Sequence, residues 1–141
     1  MGPAGILVTE VLYEKAADGQ RVVVVDAAMN DLIRPAMYGA QHEIVAVTPV
    51  IGAADSPADV VGPVCESSDR FTRDRPLPPV VPGDLLAIET AGAYGAVMAS
   101  SYNSRLLVPE VLVNKHELAV IRPRPEYEDL ISADVPAPWL A

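Results

Sequence analysis

Arg34 and Tyr38 stand four residues apart in one short polar segment. On a helical turn, residues at this spacing lie on the same face. A guanidinium and a phenol side by side can hold a carboxylate through charge-assisted hydrogen bonds. The alternative for Arg34 is an ion pair within the domain, since most charged surface side chains only face solvent. The pair therefore indicates either carboxylate binding or a structural ion pair.

The only cysteine of the sequence, Cys65, is followed directly by Glu66. A thiol at the start of a loop can donate a proton, while the neighbouring carboxylate accepts hydrogen bonds from an amino group. The alternative is a small buried apolar residue, which a lone cysteine more often is. One thiol excludes an intramolecular disulfide, and without a His/Cys cluster it cannot form a structural zinc site. We expect a free thiol and no metal site.

Tyr94 lies between glycines in the segment 91–95. Glycine lets the backbone approach a ligand closely, so the Tyr94 hydroxyl could reach one; the alternative is a tyrosine packed over a turn.

The segment 101–105 is a further polar stretch at a predicted strand end, where binding loops gather on a rigid sheet. His42 and His116 share no metal-ligand spacing and are interpreted as structural or solvated.

The elements that must position these side chains are short strands. Runs rich in β-branched residues alternate with turn residues at roughly ten-residue spacing, which is typical of an antiparallel sandwich or barrel. We predict an all-β, Greek-key-like fold, with an Asp18-Gly19 hairpin turn, short helical turns in the connection 27–40, and a short C-terminal helix over 125–132. The predicted strands are Ile6–Lys15, Arg21–Asp26, Glu43–Thr48, Asp59–Val64, Asp84–Glu89, Leu106–Val113 and Glu117–Arg122.

Length and charge exclude several classes of protein. With 141 residues, the chain has the size of one domain, and we expect a single domain over 1–141. With a net charge of −9 and no run of basic residues, the chain has no cationic surface that could neutralise the phosphates of a nucleic acid. No apolar run approaches the ~20 residues that span a bilayer, so we expect a cytoplasmic protein.

The polar segments together resemble the C-terminal β domain of the diaminopimelate decarboxylase family, which are pyridoxal-phosphate enzymes of the alanine racemase-like fold type. The resemblance runs from about Gly2 to Ile131. It is carried by VDAAMNDLIRPAMY over 25–38, VGPVCESSD over 61–69, and GDLLAIETAGAYGAVMASSYNSR over 83–105, with the closing PEVLV and YEDLI. The related ornithine and arginine decarboxylases place an aspartate after the cysteine and lack MNDLIRP, which favours diaminopimelate as the substrate.

The resemblance implies a role for each candidate residue. Arg34 and Tyr38 would bind the distal carboxylate of meso-diaminopimelate, and Glu66 its distal amino group. Cys65 would be the catalytic proton donor, and Tyr94 would lie against cofactor and substrate. In this family two subunits build each site together, so the resemblance also implies a homodimer in which the Cys65–Glu66 loop reaches the partner's site.

The sequence departs from the family in the region that binds pyridoxal 5'-phosphate. Its two lysines, Lys15 and Lys115, flank predicted turns, and neither matches the cofactor lysine, which belongs to an upstream barrel of roughly 250 residues. Residues 1–5 match the stretch that follows this barrel. We therefore expect the chain alone to be inactive and to need the barrel domain as its partner. The alternative is a stand-alone, non-catalytic β-module that associates with a full-length decarboxylase.

The family's β domain also includes strands from the N-terminal end of the protein. Without them, the resemblance predicts an unpaired sheet edge and an exposed apolar face. Such a surface favours self-association or marginal stability.

Overall fold

The structure is a computed structural model that describes residues 1–17, 19–49 and 51–140. The chain divides into two compact units, Met1–Ala99 and Ser100–Ala141. The expectation of a single domain over residues 1–141 stays a prediction. Asp18, the first residue of the predicted hairpin turn, lies outside the described residues. Among the described residues, no helix is long and apolar enough to cross a membrane.

The first unit contains one six-stranded sheet in the order β3-β6-β1-β2-β4-β5. The all-β class is confirmed, because the only α-helix of this unit among the described residues is the five-residue α1, Arg34–Tyr38. The strands are β1 (Leu7–Ala17), β2 (Gln20–Val25), β3 (Ile44–Ala46), β4 (Ser56–Val61), β5 (Arg70–Leu77) and β6 (Leu85–Ile88).

Pairing in this sheet is mixed, which differs from the antiparallel pairing that the strand spacing predicts. Strands β2 and β4 run parallel, with Val23 opposite Val60. The other pairs of the sheet are antiparallel. The physical reason is the long connection between β2 and β4, which contains α1 and β3 and lets the chain re-enter the sheet in the same direction.

The sheet curls into a nearly closed, barrel-like shape around an apolar core. Near its two edge strands, the Arg75 guanidinium on β5 lies 3.0 Å from the carboxylate of Glu43, just before β3. Inside, side chains from most of the strands meet the buried Leu32 of the β2–α1 connection. The core includes Val11, Val23, Val25, Val60, Phe71, Leu77, Leu86 and Ile88. This closed core is the scaffold from which the polar loops project.

The second unit contains a hairpin and a short helix. Strand β7 (Glu110–Asn114) pairs antiparallel with β8 (Glu117–Arg122), and an ion pair joins Arg122 to Glu110. Helix α2 (Tyr127–Ile131) lies within the segment predicted to be helical. It begins with a capping box, in which the Glu126 and Asp129 side chains each accept a hydrogen bond from the other residue's backbone N–H.

Candidate functional site

Helix α1 presents the first two candidate residues, Arg34 and Tyr38. Pro35 in its first turn suits a helix start, and Gly39 ends the helix in a left-handed conformation with φ 62°. The Gly39 N–H donates to the carbonyls of Arg34 and Pro35. Arg34 is half-buried, whereas the Tyr38 side chain is 63% exposed. The helix is thus short, fixed at both ends and open to solvent on the tyrosine side.

Residues just before α1 anchor it to the barrel. Leu32 is 1% exposed and packs in the core. Asp31 Oδ2 accepts a hydrogen bond from the Ala28 N–H at 2.8 Å, and the Asn30 amide donates to Asp31 Oδ1 at 3.2 Å. Both polar side chains are buried. The Asn30-Asp31 pair therefore shapes the turn that leads into α1, and it does not project into solvent.

The structure brings Arg34 and Tyr94 together. The Arg34 Cζ lies 5.8 Å from the centroid of the Tyr94 ring, within the range of a cation–π contact. Tyr94 is 62% exposed, so its ring is accessible from solvent. A guanidinium held over an accessible aromatic ring, with a second phenol on the same helix, can receive a carboxylate and offer a flat surface beside it.

Residues 2–5 hold the loop that carries Tyr94. The Ala91 N–H donates to the Gly5 carbonyl at 2.8 Å, and the Gly92 N–H donates to the Gly2 carbonyl at 3.0 Å. A Cβ on Gly92 would lie 2.6 Å from the Met1 carbonyl oxygen, too close for any side chain. Gly92 therefore allows close packing of this loop against the N-terminal segment.

Cys65 and Glu66 lie in the loop between β4 and β5, and both are exposed. The thiol is therefore not a small buried apolar residue. Its loop begins where β4 ends at Val61, three residues before the predicted end of that strand. The Gly62 N–H still donates to the backbone carbonyl of Asp69 at 3.0 Å, but the Val64 N–H donates to the Asp69 carboxylate at 2.7 Å and so leaves the strand ladder.

Asp69 is the residue of this loop whose role the sequence alone does not reveal. It is 3% exposed, and its Oδ1 accepts a hydrogen bond from the Met29 N–H at 2.7 Å. This bond joins the Cys65–Glu66 loop to the segment before α1. The residue types gave one signal, since an aspartate that closes a short loop often binds backbone N–H groups.

The candidate residues thus fall into two groups within the first unit. Arg34 contacts Tyr94 and shares helix α1 with Tyr38, and we call these three residues the arginine–tyrosine site. Cys65 and Glu66 form the other, on the β4–β5 loop. No lysine lies on α1, on the Tyr94 loop or on the β4–β5 loop. Among the described residues, no cluster of three or more His, Cys, Asp or Glu side chains could hold a metal ion.

Residues 3–92 match the family model of the pyridoxal-dependent decarboxylase C-terminal sheet domain. The chain belongs to this family. Among curated relatives of this sheet domain, the diaminopimelate decarboxylase of Helicobacter pylori strain J99 is 55% identical over 127 residues, which is 90% of this chain and 31% of the relative. The enzyme of the same name from Zymomonas mobilis is 51% identical over 97% of this chain and 32% of the relative.

Solved structures of diaminopimelate decarboxylases are also similar to this chain over about a third of their own length. The H. pylori diaminopimelate decarboxylase in complex with L-lysine has a TM-score of 0.87 at 50% identity, covering 94% of this chain and 32% of that one. The M. jannaschii enzyme, also in complex with L-lysine, has a TM-score of 0.93 at 41% identity, covering 99% and 32%. The chain therefore spans about a third of the length of the relatives that it matches.

Proposed function

We propose that this chain is the substrate-recognition and dimerisation region of a diaminopimelate decarboxylase, which converts meso-2,6-diaminopimelate to L-lysine and carbon dioxide in lysine biosynthesis. The observation that supports this most directly is the high identity to relatives of that name, at 55% and 51% over nearly the whole chain. The geometry of the arginine–tyrosine site adds independent support, because it suits a carboxylate.

In this proposal, the arginine–tyrosine site selects the end of the substrate that does not react. The Arg34 guanidinium binds the distal carboxylate as a charged donor, and the Tyr38 hydroxyl donates a further hydrogen bond. The exposed Glu66 carboxylate accepts from the distal ammonium group. A substrate with a charged amino-acid head at both ends is thereby distinguished from a simple diamino acid, which would leave Arg34 unpaired.

The candidate residues of this chain could contact bound pyridoxal phosphate, but they could not hold it covalently. The accessible Tyr94 ring can lie against a flat cofactor, but none of the three candidate segments supplies a lysine to hold it. When bound, pyridoxal phosphate supplies an electron sink that allows the carboxylate to leave the α-carbon as carbon dioxide. The exposed Cys65 thiol then donates its proton to that carbon. In this proposal the lysine and the phosphate cradle belong to the barrel domain, and the Cys65–Glu66 loop serves the site of a second subunit in the homodimer.

A fusion enzyme tests the proposed function. The C-terminal third of the H. pylori relative is replaced by this chain, and lysine formation from meso-diaminopimelate is measured with pyridoxal phosphate. We expect turnover by the fusion and none by this chain alone, with Cys65→Ala as the inactive control. A correctly folded fusion that binds pyridoxal phosphate but forms no lysine would contradict the proposal. Lysine formed by the chain alone would contradict the need for a barrel partner.

Cofactor binding by the chain alone tests whether the barrel domain is needed to hold pyridoxal phosphate. The purified chain is mixed with pyridoxal phosphate, reduced with borohydride and weighed as the intact protein, beside an unrelated lysine-containing protein. We expect no adduct above that control, since neither lysine lies in a candidate segment. A stoichiometric adduct at a single site would mean that this chain binds the cofactor by itself.

A further inference from the structure

Asp69 connects two separate parts of the first unit with one carboxylate. Its Oδ1 accepts from the Met29 N–H and its Oδ2 from the Val64 N–H, each at 2.7 Å. Met29 belongs to the segment that leads into α1, while Val64 precedes Cys65 directly. Hydrogen bonds to an ionised acceptor are stronger than neutral ones, and this carboxylate is 3% exposed. The connection is therefore both buried and charge-assisted.

The backbone of the same residue closes the β4–β5 loop on itself. The Gly62 N–H donates to the Asp69 carbonyl at 3.0 Å, and the Asp69 N–H donates to the Glu66 carbonyl at 3.1 Å. A Cβ on Gly62 would lie 2.3 Å from Asp69 Oδ2, so only glycine leaves room for the carboxylate. Beside it, the Ser68 hydroxyl lies 3.6 Å from the Met29 sulfur. The loop is thus held at its start, its middle and its end.

We propose that Asp69 is a positioning residue, which fixes the shape of the Cys65–Glu66 loop and its attachment to the segment before α1. The proposal rests on the proposed function for the purpose of this positioning: the thiol must meet the α-carbon and the Glu66 carboxylate must meet the distal ammonium. Because both groups are on the surface and are not packed in the core, the loop backbone determines where they point. Asp69 holds that backbone in place by accepting the hydrogen bond from the Val64 N–H.

Substitution of Asp69 by asparagine tests this without any activity measurement. Asparagine keeps the size of the side chain but replaces one acceptor oxygen by a donor amide, so at least one of the two N–H bonds is lost. In the isolated chain we expect amide exchange at Met29 or Val64 to become about tenfold faster, as loss of a hydrogen bond to a charged group implies. Asp55→Asn, at an exposed loop position, makes the same charge change as a control.

The single thiol provides a second readout. The rate of alkylation of Cys65 is measured at one fixed pH for the chain, for the two variants, and for a peptide of residues 61–69. We expect the rate for Asp69→Asn to move toward that of the peptide, because the loop is held less firmly, while Asp55→Asn matches the unchanged chain. Gly62→Ala, which displaces the carboxylate and keeps its charge, is expected to change the rate in the same direction. It also decides the matter if Asp69→Asn does not fold.

The fusion enzyme then shows whether the positioning matters for the reaction. We expect Asp69→Asn to lower kcat about tenfold or more and also to raise KM, since the proton donor and the amino-binding carboxylate share the loop. Unchanged amide exchange and an unchanged rate of Cys65 alkylation in both Asp69→Asn and Gly62→Ala would overturn the role of Asp69. A fusion without lysine formation would instead count against the proposed function, and the amide and thiol results would still decide the role of Asp69.

Discussion

At the scale of single residues, the arginine–tyrosine site combines one half-buried and two exposed side chains. Arg34 is held over the Tyr94 ring, with its Cζ 5.8 Å from the ring centroid. The contact orients a planar guanidinium, which leaves its donor groups in a fixed fork for a carboxylate. A lysine at this position would keep the charge but lose both the stacking and the fork.

Arg34→Lys in the fusion enzyme should therefore raise KM for meso-diaminopimelate by roughly ten- to a hundredfold, with a smaller effect on kcat. The expected size follows from the loss of a bidentate charged interaction, about 1.5–3 kcal/mol. Steady-state kinetics provide the measurement. Arg73→Lys, at an exposed position on β5, is the matched control. Equal KM values for the two variants would remove Arg34 from the binding site.

Glu66→Asp tests the other end of the proposed substrate. The shorter side chain withdraws the carboxylate by one methylene, so the distal ammonium loses a close partner and the preference for meso-diaminopimelate over shorter diamino acids should fall. The kcat/KM for meso-diaminopimelate divided by the kcat/KM for a shorter diamino acid measures this preference. Glu117→Asp, on the exposed strand β8, controls for the substitution itself. An unchanged ratio would count against the proposed role of Glu66.

Residue types single out the candidate residues, whose roles stay predictions, but they do not single out the residues that hold them in place. Arg34 with Tyr38 stood out by helical spacing, and Cys65 by being the only thiol. Asp69 did not stand out, because the Met29 N–H that it binds is forty positions away along the chain. No local pattern encodes such a contact. It becomes visible only when the barrel brings the two loops together.

At the scale of elements, the strand pattern predicted most of the sheet but missed β5. The sequence of this strand, RFTRDRPL, contains four charged residues and a proline, while only Phe71 and Leu77 are buried. Burial at these two positions stabilises the strand, whereas the charged residues interrupt the apolar–polar alternation that is typical of a strand. The parallel pairing of β2 with β4 was also beyond the pattern, since strand periodicity carries no information about direction.

His42 joins two of these elements and is expected to contribute to their stability. Its side chain is 6% exposed, and its Nδ1 lies 2.8 Å from the Glu89 carbonyl, which follows β6. The carbonyl accepts, so the Nδ1–H form of the ring is the donor. His42→Leu should lower the free energy of unfolding by about 1–3 kcal/mol, because it leaves a carbonyl without this donor. His42→Asn keeps a donor amide and should cost less.

Urea unfolding of the isolated chain measures both changes. The exposed His116, in the β7–β8 turn, provides the same two substitutions as controls, and these should change the free energy of unfolding by less than about 0.5 kcal/mol. If His42→Leu is as stable as His116→Leu, the bond to Glu89 does not stabilise the barrel.

At the scale of the whole molecule, the hairpin of the second unit exposes apolar side chains, while the unpaired sheet edge and exposed apolar face that the resemblance predicts stay a prediction. In the hairpin of β7 and β8, Val113 and Leu118 are 67% and 73% exposed, and Val111, Leu112, Val120 and Ile121 are also exposed. Apolar side chains thus occur on both faces of a two-stranded sheet. A pair of strands alone is marginally stable in water, and its free edges can pair with another chain.

This surface leads us to expect that the isolated chain self-associates as its concentration rises. Leu118→Lys places a charge on the exposed hairpin, at the second residue of β8, and should shift sedimentation toward the monomer. Ile51→Lys is the control, since Ile51 is 96% exposed in a loop of the first unit and lies on no strand. Because both variants add the same charge, a shift in Leu118→Lys alone would assign self-association to the hairpin. Equal shifts would mean that net charge alone controls it, and monomers at every concentration would show that the apolar hairpin is tolerated in water without a partner.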